Sequence, residues 1–176
     1  MTKKLILFDI DHTLMDVGDS HKKAFVKAFN EVLGVGLDYS KWEVHGYTDL
    51  QIIEEFMDNH KIKKDKDKIS KIIDIMVKEF EKENLDDSFL MEGVSEILER
   101  FRSDEDIIIG LVTGNIEDIA YTKLKHFKID DYFILGGFGH SSVIRSDLVD
   151  IALKHAEKLF GNISKNDVFI IGDTIH

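Results

Sequence analysis

Cysteine and proline are both missing from this 176-residue chain. Without cysteine there is no disulfide and no thiol chemistry, and a reducing, cytoplasmic setting is the natural expectation. Proline usually makes up ~5% of a protein; no function follows from its absence. Basic residues are also in short supply, with 23 Lys and Arg against 34 Asp and Glu, a net charge of -11 and a pI near 5.1. That balance argues against a nucleic-acid binder, which shows a basic face, and against electrostatic attachment to anionic membranes. No apolar run approaches the ~20 residues of a membrane span. The opening "MTKKLILFDID" carries a basic pair, but its apolar run is too short for a signal peptide. Repeats and low-complexity tracts are absent, and the eight histidines show no HxH or HxxxH spacing.

What is present suits one domain with a sizeable core, or a core plus an insertion: 43% of residues are hydrophobic and 32% charged. Four short apolar runs, "LILF" (5–8), "IIIGLV" (107–112), "YFIL" (132–135) and "VFII" (168–171), read as buried strands. Continuous apolar runs, rather than alternation, fit a parallel sheet covered on both faces. Amphipathic helices are expected between them, over 94–101, 116–127 and 147–161, the last with Ser146 as N-cap and Gly161 as its stop. From residue 94 the order α, β, α, β, α, β marks a doubly wound, Rossmann-like α/β sheet.

Residues 15–90 differ. They contain no strong strand run, but helical patterns over 21–34, 48–60 and 67–85. "KIKKDKDK" (61–68) reads as a solvated connector or helix start. The expected organisation is therefore an α/β core made of 1–14 and 91–176, with a helical cap at 15–90.

The chemistry lies after the strands. Asp9 and Asp11 follow the first, Thr113-Gly114-Asn115 the second, Gly136-Gly137 the third and Gly172-Asp173-Thr174 the fourth. In an open parallel sheet these positions share the carboxyl edge, where ligands bind. Carboxylates packed this closely repel, and burial makes their charge costly. A metal ion and a phosphate would offset that cost. Magnesium takes oxygen ligands and retains waters, so Asp9 and Asp173 with one backbone carbonyl would suffice. The hydroxyl and N–H groups of Thr113-Gly114-Asn115, at the opening of a helix, could receive phosphate oxygens. A carboxylate can attack phosphorus, and a second one two residues on can act as acid and base.

These residues resemble the haloacid dehalogenase superfamily of phosphatases. "DIDHT" is similar to its first motif, DxDxT, "LVTGN" to its second and "FIIGDT" to the start of its fourth. The insertion after the first motif resembles that family's small helical, C1-type cap. "HGYTDLQI" (45–52) and "GGFG" (136–139) are similar to segments of phosphoglycolate-phosphatase-like members. The resemblance spans the chain. It implies a magnesium-dependent phosphatase of small phosphorylated metabolites, working through an aspartyl-phosphate. Asp9 would be nucleophile and metal ligand. Asp11 would be acid/base, its backbone carbonyl also binding metal. Thr113, with Gly114 and Asn115, would bind phosphate, and Asp173 would be the acidic metal ligand. The third motif usually supplies a lysine, often in a Lys-Pro pair that is absent here. Arg145, placed just before a helix, is expected in its stead, with Lys154 and Lys158 facing solvent.

The family pattern continues past "GDTIH" with a second acid, a helix and a strand, so the chain reads as truncated, with its last strand exposing an edge. A sugar phosphomutase of the same family, and an inactive module binding phosphate or a partner, remain open alternatives. A monomer or homodimer is expected. His12 is expected to point away from the site, His21 and His45 to lie at the surface, and the Phe-rich face of 21–34 to be core.

Overall fold

The computed structural model describes residues 3–36, 44 and 46–174. Among them, four parallel strands form one sheet. In chain order these are β1 (Lys4–Phe8), β4 (Ile107–Thr113), β5 (Gly136–Phe138) and β6 (Val168–Ile171), arranged spatially as β5-β4-β1-β6. Parallel neighbours need crossovers. The one from β1 to β4 carries helices α1 (Ser20–Leu33), α2 (Asp49–Asn59), α3 (Lys66–Phe80) and α4 (Val94–Arg102). Helix α5 (Glu117–His126) links β4 to β5, and α6 (Arg145–Phe160) links β5 to β6.

Strand periodicity sorts the core. Ile6, Phe8, Ile109 and Leu111 face the layer that holds Phe25, Phe29, Ile53, Phe56, Ile72 and Leu124. Leu5, Leu7, Ile108 and Val112 face α6 through Leu148, Ala152 and Ala156. Successive strand residues point to opposite faces, and because both are covered the runs are apolar throughout. The first of these layers is continuous from the sheet into α1, α2 and α3. Strand β6 lies at one edge and exposes Phe169, Ile170 and Ile171.

Three expectations need correction. "YFIL" is not a strand: Asp130–Tyr132 is a 3-10 turn, and β5 is Gly136–Phe138. The reason is packing. A Cβ on Gly137 would lie 2.0 Å from the carbonyl oxygen of Leu148, so only a glycine strand lets α6 approach this closely. Ser146 is not the N-cap of α6, which starts at Arg145 after Ile144; the Ser142 hydroxyl instead accepts from Ile144 N–H and donates to Asp147. The helix expected over 67–85 is α3, which stops at Phe80. In addition, two-residue strands β2 (Met15–Asp16) and β3 (Phe89–Leu90) pair antiparallel at the two ends of the inserted region. They are too short to leave a periodic signal.

Candidate active site

The parallel registers Phe8↔Leu111 and Phe8↔Ile171 bring three strand ends together at one edge. A cavity of about 560 Å³ opens there, with Asp9, Asp11, Gly114, Asn115, Arg145 and Asp173 in its wall. Helix α1, the segment before α2 and the first residue of α2 close the other side with His21, Phe25, Tyr47 and Asp49.

Asp9 is buried and fully engaged. One carboxylate oxygen accepts from Ile10 N–H at 2.8 Å and the other pairs with Arg145. Burial pushes its pKa up, and Arg145 opposes this. The Arg145 guanidinium also donates to the Gly46 carbonyl at 3.2 Å, so this first residue of α6 joins the core to the segment ahead of α2. Lys154 and Lys158 are exposed on α6, as their helical phase requires.

Asp11 has a different cation, which the sequence reading missed. Lys123 of α5 is fully buried and reaches both Asp11 oxygens, at 2.6 and 2.9 Å. Burial by itself would raise the pKa of Asp11. The charges of Lys123 and His21, with hydrogen bonds from Lys123 and Asn115, outweigh it and lower the value to about 2. Asn115 ties the group together: its side-chain N–H donates to Asp11 at 2.7 Å and to the Thr113 hydroxyl, and its carbonyl accepts from Lys123 at 2.6 Å. Thr113 is fully buried behind the cavity; Gly114 and Asn115 line it.

His21 is not at the surface. Its Nδ1 lies 3.3 Å from the Lys123 ammonium and its Nε2 3.3 Å from Asp49. Asp49 is buried, accepts from Ile116 N–H at 2.8 Å and donates its own N–H to the Gly114 carbonyl. The start of α2 is thereby fastened onto the loop that carries Thr113-Gly114-Asn115. His12 also faces the cavity, 3.5 Å from Asp16, contrary to expectation. His45 lies outside the described residues, whereas Phe25 and Phe29 are core as expected.

Asp173 stands two residues past β6 and Asp9 one past the adjacent β1, and Asp173 is exposed at the cavity wall. Among the described residues no three acidic or histidine side chains are gathered as a metal cluster. The donors nevertheless fit a hard divalent cation in kind: two carboxylates from neighbouring strand ends and the Asp11 carbonyl, all oxygen. The charge of the wall points the same way. Among the described residues, Asp9, Asp11, Asp16, Asp19, Asp49 and Asp173 line the cavity, against Lys22 and Arg145 as its lysine and arginine. A phosphate would meet a net negative wall unless a cation entered with it.

A family model described as haloacid dehalogenase-like hydrolase matches residues 6–176. Solved structures share the fold. CbbY from Rhodobacter sphaeroides, in complex with phosphate, is 17% identical with a TM-score of 0.71, over 97% of this chain and 77% of that one. Beta-phosphoglucomutase from Clostridium difficile is 19% identical with a TM-score of 0.69, over 99% and 77%. A "predicted phosphatase" from Clostridium acetobutylicum is 20% identical with a TM-score of 0.67, over 97% and 76%. No curated protein sequence matches the chain.

Proposed function

The chain belongs to the haloacid dehalogenase-like hydrolases, and from that premise we propose that it is a magnesium-dependent phosphatase of small phosphomonoesters in the cytoplasm. The observation that carries this reading is the pairing of Asp9 with Arg145 at the cavity floor while Asp11, two residues on, is held by a different cation. Two carboxylates in unlike environments can take two different roles.

Asp9 attacks phosphorus, and the bond from phosphorus to the ester oxygen breaks. Asp11 gives its proton to that oxygen, so the alcohol leaves neutral. Water then attacks the aspartyl-phosphate and Asp11, now a carboxylate, takes the proton; Asp9 is regenerated and phosphate departs. Arg145 and the N–H groups of the 114–115 loop hold phosphoryl oxygens. Magnesium, held by Asp9, Asp173 and the Asp11 carbonyl, would neutralise phosphoryl charge. The charges of Lys123 and His21 favour the base form of Asp11, the form that takes the proton from water in the second half-reaction; the proton given in the first is drawn from solvent before the ester fills the cavity.

The test is phosphate release from an aryl phosphate with and without magnesium, using Asp9→Asn as control. The expected result is magnesium-dependent turnover that falls by at least ~10³-fold in Asp9→Asn. Equal turnover in the variant would remove Asp9 from the role of nucleophile. A sugar phosphomutase would use the same two aspartates and would show itself by needing a sugar bisphosphate.

A further inference from the structure

A buried lysine is costly unless it is paired and hydrogen-bonded, and Lys123 is wholly buried. Helix α5 could have placed a leucine there at no such cost. Instead the ammonium sits where four parts of the fold meet. It donates to both oxygens of Asp11 after β1 and to Asn115 after β4. It lies 3.3 Å from His21 of α1 and 5.8 Å from the ring centre of Phe80 of α3. Lys123 does not line the cavity, so it does not reach substrate itself.

We propose that Lys123 is the positioning residue for the acid/base step: it fixes the Asp11 carboxyl group from beneath, with Asn115, so that this group faces the leaving oxygen. Two features support a positioning role over simple charge neutralisation. The contact is forked, two oxygens to one ammonium, which restrains rotation of the carboxylate as well as its place. The lysine is itself held, because Asn115 accepts from it while donating to the same Asp11, a closed triangle of hydrogen bonds. The pairing also sorts the two cations. With Asp11 occupied by Lys123, Arg145 is left to Asp9 and the phosphoryl group.

The inference rests on the phosphatase reading, and its test separates the two. Lys123→Met keeps the length of the side chain and removes the ammonium; Lys123→Arg keeps the charge in a different geometry. Each is assayed on two esters, an alkyl phosphate whose alkoxide leaves only with a proton and a p-nitrophenyl phosphate whose phenolate leaves without one. The quantity compared is kcat/KM, which covers steps only up to cleavage of the ester bond and so excludes the common hydrolysis of the aspartyl-phosphate. Loss of an acid group costs ~10²–10⁴-fold. The expected result for Lys123→Met is a loss of ~10²-fold on the alkyl ester and under about 5-fold on the aryl ester. The ratio of the two is independent of how much of the variant is folded, so poor folding does not mask the effect. Equal losses on both esters would make Lys123 merely structural and overturn the inference, as would full activity on both. Lys123→Arg is expected to recover only part of the ratio; complete recovery would show that charge alone matters and overturn the positioning role. A wild-type chain inactive on both esters would overturn the phosphatase reading itself.

Discussion

Asp9 and Asp11 stand two residues apart at a strand end, and each has its own cation brought from a separate helix. The consequences differ. Burial leaves Asp9 with a raised pKa, whereas Asp11 is lowered to about 2 by Lys123, His21 and Asn115. A carboxylate whose folded pKa lies below its unfolded value stabilises the fold above the unfolded pKa, and that contribution is lost as pH falls through the folded one. For Asp11 the window is from about pH 4 down to about pH 2. Part of its carboxylate is exposed, so screening trims the contribution to roughly 1 kcal/mol. The stability gap between wild type and Asp11→Asn, from urea unfolding, should be largest above pH 4 and narrow by about that amount at pH 2. A gap that ignores pH would show that Lys123 does not hold Asp11 ionised. The sequence displays Asp9, Asp11, Asp173 and Arg145 because each flanks a strong strand or helix pattern. Lys123, His21 and Asp49 are less legible for a common reason: each occupies an apolar stripe. Lys123 falls four residues after Ile119, His21 four before Phe25, and Asp49 three and four before Ile52 and Ile53. In each case the neighbours are buried. A charged residue in step with a buried face was the available signal, since helix neighbours recur at three and four.

At the scale of elements, β5 shows how packing overrides propensity. Apolar, β-prone "YFIL" reads as a strand, with Gly136-Gly137 just past its end. Yet the sheet uses Gly136–Phe138, because α6 and the 113–116 loop come too close for side chains. A Cβ at Gly139 would lie 1.7 Å from the Gly114 carbonyl oxygen. Sequence patterns record side-chain chemistry but not how near a backbone approaches, so this element was illegible, while β1, β4 and β6 were readable. Gly137→Ala should therefore cost at least ~1–3 kcal/mol through overpacking against Leu148. It should also lower activity, because displacing α6 displaces Arg145 at its first turn. Gly36→Ala, where a Cβ meets nothing within 4 Å among the described residues, is the control and should stay within about 0.5 kcal/mol of wild type or gain slightly. Thermal unfolding of both variants checks this; equal stability would mean that the α6 contact relaxes without cost.

For the whole molecule, the apolar interior bears on how it unfolds. From the sequence a core and a cap at 15–90 are expected, since strand patterns stop and helical ones take over. The structure places Phe25 and Phe29 of α1, Phe56 of α2 and Ile72 of α3 in the same continuous cluster as Ile6, Phe8 and Leu111 of the sheet. Polar ties run across the same boundary, from Lys123 to His21 and from Ile116 to Asp49. Units that share one buried interior cannot open separately without exposing each other's apolar surface. Phe29 sits deep in the inserted helices, 5.7 Å from the Phe25 ring and 4.4 Å from that of Phe56, measured between centroids. Removing it should cost ~3–5 kcal/mol. At ~2–4 °C per kcal/mol for a chain of this size, the Tm of Phe29→Ala should fall by roughly 6–20 °C. If the interior is cooperative, calorimetry will show the whole transition moving as one peak, with calorimetric and van't Hoff enthalpies that agree. If the inserted helices are an autonomous unit, the substitution will pull out an early peak and leave a second where the wild type melts. That second peak would mean that the helices can swing from the sheet without unfolding it, and that the Asp49 and His21 ties are contacts of one position of the insertion rather than fixtures of the fold.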